Sequence, residues 1–333
     1  MNIRKNATSL TSAERKAFVD ALLTLKKSGT YDKYVKLHFD AMMQIRAFPN
    51  EPQDMSYRNA AHSGPAFLPW HRKLLLDFEN ELRKIDGGVT LPYWEWNADA
   101  RLPSAKASSI WADDLMGGDG TGPYGEVQTG PFAGATGNWP IAKALDDEGL
   151  GPALKRTLGQ QTASLPTDEH VRFLMNEPFY DVPPWCSISS IGFRNRLEGW
   201  LNKRNDYRYW TDGSQMHNRV HVWVGGHMTA STSPNDPVFW LNHAHVDKLW
   251  SDWQMLMANS MPGMQMPREN DYVPRSGGPV GHNLDDTLWP WDVKPREMLD
   301  TSSLNYGYDT DATHIHSMQF ARERKSRRRF TLD

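Results

Sequence analysis

Cysteine is almost missing from this chain: its 333 residues include one, Cys186. An intrachain disulfide is therefore impossible, and zinc or iron–sulfur sites built on cysteine are excluded. Long apolar runs are missing too. No window approaches the roughly 18 apolar residues of a membrane-spanning helix. The opening MNIRKNATSLTSAERKAF carries basic residues with no apolar stretch behind them, unlike a secretory signal. These absences predict a cytoplasmic protein, exported only if a signal-bearing partner carries it. A strong excess of one charge is also missing. The net charge is −3, which leaves no electrostatic case for nucleic acid or a membrane surface as partner. That total averages two unequal parts: residues 322–329 hold six bases and one acid, a net +5, leaving −8 for the rest. Residues 310–333 lack periodicity and read as a solvated, disordered tail, or alternatively as a docking site for an anionic partner.

Histidine and tryptophan are abundant instead, at 12 and 14 residues. Helical patterning dominates the first third. Thr11-Ser12-Ala13-Glu14 forms a capping box ahead of Phe18, Val19, Leu22 and Leu23. Tyr31, Tyr34, Val35, His38, Met42 and Ile45 then lie along one helix face, with His38 inside the apolar stripe. After Pro69, Leu74, Leu75, Phe78, Leu82 and Ile85 mark a third helix that stops at Gly87-Gly88. Glycine, proline, serine and aspartate punctuate residues 98–190, which predicts irregular chain with short helices near 141–147 and 168–176. Helical pattern returns at 192–201, 215–224 and 238–257. The organisation expected is one helical domain, 1–309, followed by the basic tail 310–333.

Histidine is the most plausible source of chemistry. His217 and His221 sit at i and i+4, about 5–6 Å apart at Cβ on one helix face, a spacing that suits one metal ion. HxxxH is a weak signal alone. A zinc protease would need glutamate directly after the first histidine, and Asn218 stands there. His243 shares its face with Phe239, Val246 and Trp250, so it should point inward as a third ligand. His245, roughly 200° further around, should face elsewhere, as an outer neighbour of the site or as a surface residue. In the N-terminal half, His38 lies mid-helix, His62 lies in a loop and His71 opens the third helix. Each has a bland explanation alone. Together they suggest two three-histidine sites facing each other in a helix bundle, a donor set that suits copper or zinc and disfavours di-iron.

At this point the sequence resembles a known family. The segments FLPWHR, LPYWEW, FRNRLEGW, HNRVHVWVGG and SPNDPVFWLNHAHVDKLW, with the closing Tyr306-Gly307-Tyr308, look like those of type 3 copper proteins, most closely the bacterial tyrosinases of the actinobacterial kind and the related o-aminophenol oxidases. The resemblance covers nearly the whole chain. It implies a mainly α fold, with an antiparallel four-helix bundle core housing a dicopper site and long irregular loops around it. It implies one copper on His38, His62 and His71, and another on His217, His221 and His243, with dioxygen as co-substrate. Glu198 and Asn218 occupy the places of a carboxylate and an amide that position a water to deprotonate the incoming phenol. Phe239 matches an aromatic residue stacked on a ligand ring, and Asp247 an acid that braces the helix. The activity implied is oxidation of o-diphenols or o-aminophenols to quinones or quinone imines, with ortho-hydroxylation of monophenols as a further capability. A small copper-delivering helper protein is the implied partner beside the phenolic substrate.

The chain departs from the family pattern in several places. Asn242 stands where the first of two adjacent histidines is usual, which alters the surroundings of the second copper. Ala60 stands where fungal relatives carry a cysteine bonded to the second histidine, so that thioether cannot form. The connections from Ala47 to Ala61 and from Glu198 to His217 are longer than in the tyrosinases it resembles. Both should border the site mouth, which makes a specialised o-aminophenol oxidase a serious rival to a general tyrosinase. A hemocyanin-like oxygen carrier is the alternative from another class, and a zinc hydrolase a more distant one. Met255, Met257, Met261, Met264 and Met266 read as adaptable packing, or as a thioether path for copper delivery.

Overall fold

The computed structural model describes residues 1–47, 58–122, 124–201, 215–258 and 272–311. Helix α1, Ser12–Lys27, starts at the expected capping box: the Glu14 amide donates to the Thr11 hydroxyl at 3.2 Å and the Glu14 carboxylate accepts the Thr11 amide at 2.9 Å. Helix α2, Thr30–Met42, is entered through Gly29 at φ 74°, which a side chain would resist. It ends before Ile45, which is 64% exposed, so the apolar stripe outlasts the helix. Helix α3, Phe67–Ile85, begins two residues before Pro69 rather than after it, because the first turn has no use for the missing N–H.

Helix α4 is the short Trp96–Asp99, α5 is Asp168–Met175, α6 is Phe193–Glu198, α7 is Met216–Val224 and α8 is Val238–Ala258. The helix expected near 141–147 is only a 3-10 turn, Lys143–Leu145, in keeping with the broken chain around it. Strands are few and short. β1, Asn2–Arg4, pairs in parallel with β4, Tyr306–Tyr308, placing Asn2 opposite Tyr306 and Arg4 opposite Tyr308; β2, Gly120–Thr121, pairs antiparallel with β3, Glu126–Val127.

The core is helical. α3 packs on α8 and α1, α1 on α2, and α7 on α6 and α8. Phe78 of α3 and Trp240 of α8 stack at 3.6 Å, and the Trp240 indole donates to the Tyr31 hydroxyl of α2 at 2.8 Å. Burying such a side chain stabilises by about 1.5–3 kcal/mol. Every residue of α8 from Val238 to Gln254 is buried. No described helix is long and apolar enough to cross a membrane.

Because α8 is enclosed on all sides, turning away from the site does not mean turning to water. His245 is 2% exposed, which excludes the surface option. Its Nε2 lies 3.0 Å from Asn97 Oδ1, and its ring stacks over Tyr93 and meets Trp96 edge-on. One turn beyond His243, the Asp247 carboxylate accepts from Arg72 at 2.5 Å, from Arg4 at 3.2 Å, and from the Tyr306 and Tyr308 hydroxyls at 2.6 Å each. Both chain ends described are thereby tied to α8. Met255 and Met257 lie partly buried in its last turns; Met261, Met264 and Met266 fall outside the described residues, as do the tail from 312, most of the Ala47–Ala61 connection and residues 202–214.

Candidate metal centre

Four helices and one loop bring six histidines together. α2 supplies His38, α3 His71, α7 His217 and His221, and α8 His243, while His62 comes from the loop between α2 and α3. In each of two groups, His38 with His62 and His71, and His217 with His221 and His243, the ligand atoms lie within 4.8 Å of one another. The groups face each other: the His71 and His243 rings stack at 4.3 Å, and those of His62 and His217 are 6.3 Å apart. The two three-histidine clusters expected from the sequence are thus assembled by residues up to 205 positions apart in numbering, His38 and His243.

Hydrogen bonds on the outer side of the rings fix which nitrogen looks inward. Nδ1 of His38, His71 and His221 lies 2.8, 2.8 and 2.7 Å from the carbonyls of Ser231, Phe67 and Met228. A carbonyl only accepts, so each Nδ1 carries the proton and Nε2 presents its lone pair. Those three Nε2 atoms are buried without a hydrogen-bond partner. His217 Nδ1 likewise faces the Glu198 carbonyl at 3.2 Å and Asn218 Oδ1 at 3.0 Å, while its Nε2 lies 3.1 Å from His243 Nε2. Orphaned lone pairs in a buried site are costly unless something electrophilic occupies them. A cation about 2 Å from each imidazole satisfies them, so the residues present fit two metal ions.

Burial keeps these rings neutral and ready to coordinate. It pushes His38 and His221 down to about 4, and His62, His71, His217 and His243 well below the ordinary histidine value, with neighbouring histidines adding to the fall for His62, His71, His217 and His243. Phe239 packs against His243 at 4.1 Å and against His38 at 5.1 Å, so the aromatic assigned to a ligand ring touches one from each group. Asn242 is fully buried, and neither atom of its amide has a partner among the described residues.

A cavity of about 480 Å³ opens onto the histidines and is walled by Ser63, Glu198, Trp200, Asn218, Val222 and Met228, among others. Its size suits a small ligand. Glu198 is fixed on both oxygens: Oε1 accepts the Ser63 amide at 2.5 Å and Oε2 accepts Arg194 at 2.9 Å. Arg194 also pairs with Asp181 at 2.6 Å. Burial pushes the Glu198 carboxyl up, and Arg194 opposes the rise. The sequence reading missed Arg194, although its i, i+4 spacing to Glu198 was visible. Nothing in the sequence pointed to Ser63, which stands at a φ of 59° and whose backbone amide donates to Glu198.

Comparison with known proteins agrees with this geometry. Residues 28–256 match the family described as the common central domain of tyrosinase. The chain is 44% identical to a tyrosinase of Streptomyces glaucescens, over 93% of its own length and all of that protein. It is 36% identical to grixazone synthase of Streptomyces griseus, over 93% of its length and 99% of that enzyme's. Among solved structures, a polyphenol oxidase from Thermothelomyces thermophila superposes with a TM-score of 0.67 at 23% identity, covering 92% of this chain and 88% of that one. An octopus hemocyanin functional unit gives 0.58 at 20% identity, covering 93% and 68%. At these identities the two structures speak for the fold alone.

Proposed function

Because the chain belongs to the tyrosinase family of binuclear copper phenol oxidases, we propose that it oxidises small ortho-substituted phenols in the cavity over its two histidine clusters. His38, His62 and His71 hold one copper, and His217, His221 and His243 the other; the α helices that carry five of these ligands form the bundle core. The bound pair supplies two-electron chemistry between dioxygen and the phenol. The protein's own residues prepare the substrate. A phenol has a pKa near about 10, so it needs a base to reach the metals as phenolate. Glu198 at the cavity wall, held by Ser63 and Arg194, serves as that base through a water that it positions together with Asn218. Phe239 keeps the His243 and His38 rings from tilting as substrate enters.

The observation that carries this reading is the pair of facing imidazole triads, with the Nε2 atoms of His38, His71 and His221 buried and unpartnered, opening into a substrate-sized cavity. A reversible oxygen carrier is disfavoured, since it has no use for a buried base at the cavity wall. Asn242 and the lengthened loops favour a narrower substrate range, an o-aminophenol oxidase, within the same chemistry. The test supplies tyrosine, a catechol and an o-aminophenol in turn to the copper-loaded chain. Oxidation of the catechol and the aminophenol is expected. Steady turnover of tyrosine without added diphenol removes the specialised reading, and oxygen binding with no phenol oxidised removes the enzyme. A small copper-supplying partner belongs to the same proposal; complete copper loading of the chain expressed alone overturns that part.

A further inference from the structure

The six ligands are not held alike. Five stand on helices, and four of these are oriented by an Nδ1 hydrogen bond to a backbone carbonyl. His62 has neither support: it lies in a loop, and its Nδ1 is buried without a partner. Something else must set the position of this ring, because a ligand displaced by a few tenths of an ångström loses coordination geometry.

The loop itself gives the answer. Asn59 Oδ1 accepts the amides of Ala61 and His62 at 3.0 and 2.8 Å, and the Asn59 amide donates to the His62 carbonyl at 3.1 Å. Where Asn59 goes, His62 follows. At the other end, Ala66 caps α3, the helix that carries His71. One side chain joins these two points across more than two hundred residues of sequence. His282 Nε2 lies 3.0 Å from the Asn59 carbonyl, and the Ala66 amide donates to His282 Nδ1 at 3.0 Å. Only the neutral, Nε2-protonated tautomer makes both bonds, since Nδ1 must accept and a carbonyl cannot donate.

We propose that His282 is the positioning residue for the first copper site: it clips the Asn59 end of the loop to the start of α3 and so sets His62 in register with His71 and His38. The inference rests on the copper reading above and adds a residue to it. His282 suits the task in three ways. It is fully buried, and its own backbone is anchored by its amide on the Pro279 carbonyl at 3.0 Å and by the Tyr272 hydroxyl on its carbonyl at 2.7 Å. Burial, with Arg58, Arg194 and Arg46 nearby, holds its pKa well below the ordinary value, so the clip stays neutral. The loop also lies directly on the ring: a Cβ added at Gly64 would come within 2.7 Å of His282 Cε1, which explains glycine there without any unusual φ.

The test compares H282F, which keeps a ring but makes neither bond, with H282Q, which can still donate to Asn59, and H282N, which can only accept from Ala66. Copper-loaded full-length proteins are dialysed against a chelator, and copper per chain is measured together with the electron paramagnetic resonance signal of isolated Cu(II). Circular dichroism and thermal unfolding of the copper-free forms report on the fold. H282F is expected to hold one copper roughly 10–100-fold more weakly than the wild type against the chelator, as for loss of an outer partner of a metal ligand. The copper it keeps becomes visible by resonance because its magnetic partner is gone, and H282Q restores much of the retention. Equal retention of both coppers in H282F, parallel loss of both, or H282Q no better than H282F overturns the proposal. If H282F does not fold, H282N decides in the same terms: selective loss of one copper supports the clip, and wild-type retention overturns it. A wild-type chain that binds no copper pair would instead sink the functional reading on which the proposal rests.

Discussion

Acidifying the copper-free chain should unfold it well before ordinary acid denaturation. In the native state burial pushes His38 and His221 down to about 4. In the unfolded chain each returns to about 6.5. Between those values the unfolded state binds protons that the native state refuses, so stability rises with pH there. The contribution of neutral histidine is fully present above about pH 6.5 and is lost as pH falls toward about 4. At about pH 4.5 each ring costs roughly 2.5 kcal/mol, and the two together about 5 kcal/mol. That is comparable with the whole stability of an ordinary domain, about 5–15 kcal/mol. His62, His71, His217 and His243 shift in the same direction and deepen the loss. The assay is urea unfolding followed by tryptophan fluorescence at a series of pH values, for copper-free and copper-loaded protein. The copper-free midpoint should fall steadily below about pH 6.5, while copper, which binds the neutral rings, holds the loaded midpoint to lower pH. The double variant His38→Gln, His221→Gln should make the copper-free profile shallower, with the remaining four histidines keeping part of the slope. A wild-type midpoint independent of pH across this window, or a double variant as steep as the wild type, would refute the reasoning.

Two other substitutions probe the surroundings of the site. Asp247→Ala leaves the buried guanidiniums of Arg72 and Arg4 without their shared carboxylate, and should cost about 3–5 kcal/mol in chemical denaturation; a wild-type midpoint would show that Glu79, already on Arg4, carries the network. Glu198→Gln should lower kcat for phenol oxidation by roughly 10²–10⁴ while both coppers stay bound, and an unchanged kcat with full copper would remove Glu198 from the base role.

Much of the site was legible because its parts obey local rules. His217 and His221 announce themselves by i, i+4 spacing, and His38 by its place in an apolar stripe. Thr11 and Glu14 closed their capping box as read. The misreadings also have local causes. The helix read as following Pro69 begins two residues ahead of that proline, since proline is tolerated in a first turn. His245 looked able to reach the surface because periodicity gives a direction around α8 but not what lies in that direction. Asn97, Tyr93 and Trp96, about 150 residues away in sequence, turned out to lie there.

The sequence by itself determined which histidines are available as donors, the helices that carry five of them, the single cysteine that excludes a cysteine-built cluster, and the family. Those are matters of composition, short-range spacing and whole-chain resemblance. Tertiary structure alone decided that the two triads face each other across a stacked His71–His243 pair, that the Ser63 amide grips Glu198, and that His282 bridges Asn59 and Ala66 behind the loop of His62. Each of these depends on which side chains meet after distant segments pack. A hydrogen bond spanning more than two hundred residues leaves no period in the chain, and the physics that creates it begins only when the core has closed.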